Sequence, residues 1–193
     1  MAGSAGWAQV PDPVARPVEE RRIQLSAADE HSLPSAGEFG PQVDLFFEDF
    51  HPGQRFELGD YRITEAEMLD FARRFDPQPF HVDPVQASAT IFEGLIASGW
   101  QTAAIWMRLY CDGLLLRAAS LGSPGIEELR WLAPVRPGDL LRASVEVISG
   151  RPSVRHPERG TLVMRGELRG ESGELKMRLT AWGLIAHRPP AGS

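Results

Sequence analysis

The residues best suited to chemistry lie in a proline-rich run, DPQPFHVD, from Asp76 to Asp83. A carboxylate and an imidazole directed at one water molecule can take a proton from it and return that proton elsewhere. Each proline fixes its own φ angle and disfavours helix in the residue before it, so we predict an extended path without helix as far as Pro84. On such a path His81 and Asp83 point to one side. The run therefore predicts an acid–base pair, Asp76 and His81, on a stiff loop.

A second feature follows at Ser98 and Gly99, where a long apolar segment begins. Serine is a favoured helix N-cap, and the N–H groups of a first helical turn have no partner within the helix. Together with the positive end of the helix dipole, they suit a developing oxyanion. Glycine also lets a substrate carbonyl approach the backbone closely. Taken alone, these two residues are better explained as an ordinary helix cap.

The helix that begins at Ser98 is expected to organise the fold. We predict that it runs from Gly99 to about Ala119 and is apolar on nearly all sides, which is typical of a buried helix. An earlier helix should start at the capping-box pair Thr64 and Glu67 and end before Pro77. A further short helix is predicted at residues 85–93.

Strands are predicted on both sides of the long helix. One covers Arg55 to Thr64, with a bulge at Gly59, and the four that follow the helix lie at residues 125–135, 139–149, 161–169 and 174–187. Because their loops are short, we predict that consecutive strands are antiparallel neighbours. The predicted fold class is α+β, a curved antiparallel sheet wrapped around a long central helix, which is the hot-dog fold. A free sheet edge and an uncovered part of the helix favour a homodimer or a dimer of dimers.

Size and composition limit the other possibilities. With 193 residues, 42% of them hydrophobic, the chain is expected to form one domain. Its net charge of −6 gives no reason to expect nucleic-acid binding. We predict a poorly ordered leader at 1–43, in which 17–30 form at most a short helix, the hot-dog domain at 44–188 and a tail at 189–193. The single cysteine, Cys111, favours the cytoplasm. No apolar run approaches the ~20 residues of a membrane span.

The sequence lacks the residue spacings that define several other types of site. Residues 96–100, IASGW, lack the first glycine of a G-x-S-x-G elbow, and the chain has neither a GxGxxG motif nor a phosphate-binding P-loop. His81 and Asp83 could ligate a metal, but no further histidine cluster supports that. We therefore predict no metal and no cofactor.

At these residues the sequence resembles the MaoC-like, or R-specific, enoyl-CoA hydratase family of hot-dog proteins. The family motif is Asp-x-Asn-Pro-x-His-x-Asp, and it stands here at Asp76 to Asp83 with Gln78 in place of the asparagine. LIASG at 95–99 resembles the start of the family's helix, and IEELRWLAPVRPGD at 126–139 resembles its next strand and turn. The likeness covers about residues 45–188.

The resemblance implies reversible syn addition of water to a trans-2-enoyl-CoA, which gives an (R)-3-hydroxyacyl-CoA. It implies catalytic roles for Asp76 and His81, which would activate water, and for Gly99, whose N–H would polarise the thioester carbonyl. The candidates for substrate binding are Ser98, Trp100, Phe80, Gln78 and Asp83. The longer Gln78 bears on the loop contacts and on substrate choice rather than on the acid–base pair.

Two other functions stay open. A hot-dog acyl-CoA thioesterase commonly places an acid on the central helix near the substrate, but here the only acid is Asp112, roughly 20 Å along the helix from Gly99. A non-catalytic acyl-CoA-binding protein would not require the Asp76 and His81 pair. Coenzyme A phosphates would need arginine, and the loop residues Arg151, Arg155 and Arg159 either meet them or form a solvated loop.

Overall fold

The structure, a computed structural model, describes residues 42–190. The strands are β1 (Arg55–Arg62), β2 (Ile126–Trp131), β3 (Leu140–Pro152), β4 (Arg159–Arg169) and β5 (Leu175–Ala186). The helices are α1 (Glu65–Phe75), α2 (Pro79–Val82), α3 (Pro84–Ser88) and α4 (Gly99–Gly113), with 3-10 turns at Phe47–Asp49 and Leu115–Arg117. Nearly all of the predicted leader, including the short helix at 17–30, and residues 191–193 lie outside the described residues.

The strands form one five-stranded antiparallel sheet in the order β1-β3-β4-β5-β2. The alternation predicted in β3 is confirmed, because one face of this strand is fully buried, at Leu141, Ala143, Val145 and Val147. The predicted bulge in β1 is present, and the register shifts between Glu57 and Gly59. The sheet therefore presents one continuous apolar face to the helix.

One predicted pairing is wrong. β2 and β3 are consecutive in sequence but not neighbours, since β2 pairs with β5 at one edge and β3 pairs with β1 and β4. The connection at residues 132–139 crosses the end of the sheet and is held there by hydrogen bonds from the Leu132 and Ala133 N–H groups to the Lys176 carbonyl. Eight extended residues reach about 26 Å, and three strand spacings need only about 14 Å.

The central helix α4 packs against β1, β3 and β4, which confirms the hot-dog fold. It is shorter than predicted and ends at Gly113, where a Cβ atom would lie 2.8 Å from the Leu58 Cα of β1. It is also not buried on all sides, because Trp100 is 61% and Met107 is 42% exposed. The pattern was misleading here because several exposed residues of α4, Trp100, Ala104 and Met107, are themselves apolar.

The proline-rich run also differs from the prediction. Thr64 and Glu67 form the predicted capping box and α1 ends at Phe75, but the residues after it form the one-turn helix α2 and then α3. Pro79 and Pro84 occupy the first positions of these helices, where the missing N–H is not needed and the fixed φ suits a helix. The prolines therefore start short helices rather than prevent them, and the helix predicted at 85–93 is α3, which ends at Ser88.

Candidate functional site

Asp76 lies where α1 ends, and its carboxylate is held at both oxygens. The Ser98 hydroxyl donates to Oδ2 at 2.7 Å and the Gln78 amide donates to Oδ1 at 2.7 Å. Partial burial raises the pKa of Asp76, but the hydrogen bonds from Ser98 and Gln78 and the charge interaction with His81 outweigh it and hold the pKa below its usual value. Asp76 is therefore a carboxylate at neutral pH, fixed in one orientation.

His81 sits on α2 and is almost fully buried. Its Nδ1 lies 2.9 Å from the Ile96 carbonyl oxygen. Because a carbonyl can only accept, Nδ1 carries a proton, and in the neutral ring the lone pair is on Nε2. That Nε2 lies 3.4 Å from Asp76 Oδ2. In that neutral form, two acceptors, an imidazole nitrogen and a carboxylate oxygen, stand side by side.

Ser98 links this pair to the start of α4. Its hydroxyl donates to Asp76 and also accepts the Trp100 N–H at 3.2 Å, which confirms the predicted N-cap. Within residues 42–190, no protein group accepts a hydrogen bond from the Gly99 N–H. One unpaired N–H donor at the positive end of α4 therefore lies one residue from the side chain that orients Asp76.

The loop before α4 is tied to both neighbouring elements. The Ile96 N–H donates to the Phe80 carbonyl at 3.2 Å, and the Ala97 N–H donates to the Val135 carbonyl at 2.8 Å. Phe80 also packs edge-to-face on the His81 ring, with centroids 4.5 Å apart. These contacts place α2, the loop and α4 in one fixed arrangement around the acid–base pair.

Two tryptophans border Gly99, and sequence reasoning named only one of them. Trp100 and Trp131 meet edge-to-face with centroids 5.5 Å apart. The Trp131 indole also donates to the Gly99 carbonyl oxygen at 2.8 Å. The sequence did not identify Trp131 because it ends a strand and lies 32 positions after Gly99. The signal available was its place in the segment at 126–139 that resembles the family's strand and turn.

The structure brings together most of the predicted site residues, namely Asp76, Gln78, Phe80, His81, Ser98, Gly99 and Trp100. Asp83 is the exception, because α2 is helical and the expected common side with His81 is lost. Its Oδ1 accepts the N–H groups of Val85 and Gln86 at 2.9 and 3.1 Å, and its Oδ2 accepts the Gln86 amide at 2.8 Å. Asp83 therefore caps α3, and its substrate-binding role stays a prediction that these contacts do not favour.

The residues considered for other functions lie elsewhere. Asp112 pairs with Arg108 at 2.7 Å near the far end of α4. Arg151 and Arg155 are exposed around the turn between β3 and β4, whereas Arg159 begins β4 and is buried. In the described part of the chain, no three His, Cys, Asp or Glu side chains are grouped to hold a metal, and none of the helices found there has the length and apolar character to cross a membrane.

A hot-dog domain with a paired aspartate and histidine beside the start of its central helix is the class that fold and site define. The sequence profile of the MaoC like domain matches residues 49–163, and this chain belongs to that family. The MaoC-like dehydratase structure from Rhodospirillum rubrum is 39% identical, with a TM-score of 0.69 over 76% of this chain and 100% of that one.

Two curated proteins are similar over about half of this chain. The uncharacterized protein YdeM of Bacillus subtilis is 33% identical over 105 residues, which cover 54% of this chain and 74% of that protein. The (R)-specific enoyl-CoA hydratase of Rhodospirillum rubrum is 32% identical over 108 residues, which cover 53% of this chain and 69% of that protein.

Proposed function

We propose that this protein is a hydro-lyase that reversibly adds water to a trans-2-enoyl-CoA and forms a 3-hydroxyacyl-CoA of R configuration. The observation that carries the proposal is the joint arrangement of Asp76, His81 and the Gly99 N–H, which Ser98 connects. The similarity to an (R)-specific enoyl-CoA hydratase supports the same class of reaction. The reaction needs no cofactor, because coenzyme A is part of the substrate.

The first step is polarisation of the thioester. The Gly99 N–H donates to the thioester carbonyl oxygen, where negative charge develops when water attacks the β carbon. The donor is fixed in place before the reaction, so it stabilises the enolate without reorganisation. Loss of one such donor typically costs about 3 kcal/mol in the barrier.

The second step is activation of water. One water molecule can donate its two hydrogens to His81 Nε2 and Asp76 Oδ2, which lie 3.4 Å apart. Asp76 Oδ2 already accepts the Ser98 hydroxyl, so His81 Nε2 takes the proton while the Asp76 carboxylate stabilises the imidazolium. The water oxygen bonds to the β carbon, and the electron pair of the C=C bond moves to the thioester oxygen.

The last step returns the proton. His81 gives it to the α carbon as the enolate collapses, so both parts of the water molecule are added and the two side chains regain their starting states. Since the oxygen and the proton come from the same pair of side chains, both reach the same face of the double bond. Syn addition follows from this placement, and the R configuration follows if the acyl chain presents that face to His81.

We also propose that the protein acts as a homodimer or a dimer of dimers. The exposed stripe of α4 includes the apolar side chains Trp100 and Met107. β2 is an edge strand with one free side. A second copy would cover both features, and light scattering coupled to gel filtration would give a monomer mass if this proposal is wrong.

The test of the activity is an ultraviolet assay for loss of conjugation in crotonyl-CoA and in a panel of longer and branched enoyl-CoAs. Asp76→Asn and His81→Ala are each expected to lower kcat at least about a hundredfold, with circular dichroism and Tm as checks on folding. Chiral analysis of the product should give the R isomer.

Other outcomes would identify other functions. Release of free coenzyme A thiol instead of hydration would indicate a thioesterase. Tight binding of acyl-CoA without turnover of any panel member would indicate a binding protein. Full activity in either variant would remove the acid–base pair from the mechanism.

A further inference from the structure

Trp131 is a large side chain at the site that neither the motif at Asp76 to Asp83 nor the proposed chemistry uses. It is the last residue of β2, which lies at the edge of the sheet, and its backbone pairs with Met177 of β5. Its indole nevertheless reaches the first turn of α4. Within one chain it is 47% exposed, so burial of apolar area inside that chain does not by itself explain its placement.

The indole contacts Gly99 in two ways. Its Nε1 donates to the Gly99 carbonyl oxygen at 2.8 Å. Its ring also lies directly against the Gly99 Cα, since a Cβ added there would be 2.5 Å from Trp131 Cε2 and 2.7 Å from Nε1. The indole therefore fills the space that any other residue's side chain would occupy, and it holds the peptide group that follows Gly99.

A glycine at this position needs such support. Glycine has the widest range of backbone angles of any residue, and at the first position of a helix its N–H has no intrahelical acceptor to fix it. On one side of Gly99, Ser98 is anchored through its hydroxyl to Asp76. On the other side, Trp131 anchors the carbonyl. The direction of the Gly99 N–H is thus set between two side-chain anchors.

We propose that Trp131 is a positioning residue that orients the Gly99 N–H toward the substrate carbonyl. This rests on the proposed function, in which that N–H polarises the thioester. Trp131 acts through Gly99 and does not itself exchange protons. The ring contact restrains Gly99 itself. The indole hydrogen bond fixes the plane of the peptide group that follows Gly99, and this limits rotation of the backbone at Gly99.

The kinetic test compares Trp131→Ala and Trp131→Phe, with Leu132→Ala as the matched control. Leu132 is the next residue, is equally exposed at 47%, and its N–H bonds to the Lys176 carbonyl of β5 rather than to the start of α4. Because a misplacement near 1 Å can cost a hundredfold in rate, we expect kcat for crotonyl-CoA to fall about tenfold to a hundredfold in Trp131→Ala. The loss should be smaller, about fivefold, in Trp131→Phe, which keeps an aromatic ring but lacks the donor and part of the ring surface. KM should stay within about threefold and the control should match the parent.

A double substitution separates positioning from general stability. Gly99→Ala keeps the N–H but drives a methyl group into the indole, whereas in Gly99→Ala/Trp131→Ala that space is open. We expect the double variant to be more active than Gly99→Ala alone, a coupling between neighbours that independent defects would not produce. Losses that simply multiply, or a drop in kcat that follows Tm in all variants including Leu132→Ala, would overturn the proposal.

A measurement without substrate keeps the inference testable if the hydratase proposal fails. In protein labelled with 15N-glycine, the Gly99 amide is assigned by its disappearance in Gly99→Ala. We expect its order parameter to fall from about 0.85 toward about 0.6 in Trp131→Ala and to stay unchanged in Leu132→Ala. An unchanged order parameter in Trp131→Ala would show that the indole does not hold Gly99.

Discussion

The sheet formed by β3, β4 and β5 and the segment from Asp76 to Gly99 are stabilised in different ways. In the sheet, continuous backbone ladders and a buried apolar face repeat the same contact many times. The segment depends on a few polar contacts between residues far apart in sequence, such as Ser98 to Asp76, 22 positions apart, and His81 to Ile96, 15 apart. A substitution in the sheet should therefore lower the stability, whereas one in the segment should displace the site residues and lower the activity.

The largest effect on stability is expected from Leu141→Ala. Leu141 lies in β3 with no exposed surface, so truncation leaves a cavity in a packed face and should lower the free energy of unfolding by about 2–5 kcal/mol. Urea denaturation would measure the change. Activity per folded molecule should stay near that of the parent, because Leu141 is not among the residues that orient Asp76.

Val154→Ala is the matched control, since Val154 is fully exposed at the turn between β3 and β4. It should leave the unfolding midpoint in place. If Leu141→Ala instead lowered kcat of the folded protein as much as a substitution of Ser98, the contrast between sheet and segment would be wrong.

The next largest effect is expected from Ser98→Ala, and it should appear mainly in activity. Loss of the hydroxyl removes a hydrogen bond to Asp76 and the cap on the Trp100 N–H. We expect kcat to fall about tenfold to a hundredfold because the carboxylate is no longer aligned. The lost cap should lower stability by about 1 kcal/mol.

The unfolding free energy of Ser98→Ala should depend less on pH than that of the parent. Burial raises the pKa of Asp76, and the Ser98 hydrogen bond is the foremost of the interactions that lower it below the usual value. In the parent, this ionisation stabilises the fold above the ordinary aspartate pKa of about 3.9, and the stabilisation is lost as pH falls through the lower folded pKa. Removing Ser98 raises the folded pKa, so the difference in unfolding free energy between pH 7 and pH 3 should shrink.

Gln78→Ala tests whether the burial of Ser98 explains the effect expected for Ser98→Ala. Gln78 bonds the other oxygen of the same carboxylate, but it is exposed, so water can replace its amide. Its effect on kcat should be clearly smaller than that of Ser98→Ala. Equal losses would mean that burial does not govern how firmly Asp76 is held.

Sequence patterns predicted the parts of the molecule that repeat a local rule. The alternation in β3, the capping box at Thr64 and Glu67, and the N-cap at Ser98 all depend on residues within a few positions of each other, and all are confirmed. The predicted pairing of β2 with β3 was wrong, and β2 pairs with β5 instead, because strand order depends on long-range closure of the sheet, which loop length does not determine.

The site was predicted only in part, because some of its contacts join residues that are far apart in sequence. The motif identified Asp76 and His81, but the prolines were misinterpreted because proline both disfavours helix in the residue before it and favours the first position of a helix. Which effect dominates depends on whether the following residues find helical partners, as His81 does through its N–H bond to the Gln78 carbonyl. The indole of Trp131 was missed because no local pattern shows a contact between a strand end and a helix start.

The smallest effect is expected at Asp83, where the motif and the structure differ most. If Asp83 only caps α3, Asp83→Ala should lower the unfolding free energy by about 1 kcal/mol, and Asp83→Asn should recover most of that loss, since asparagine is an equally good cap. Both variants should keep kcat and KM within about twofold. If the carboxylate binds substrate instead, Asp83→Asn should raise KM several-fold at unchanged stability, because the amide preserves the cap and removes only the charge. Urea denaturation and initial-rate kinetics on the same two variants therefore decide between a structural and a binding role.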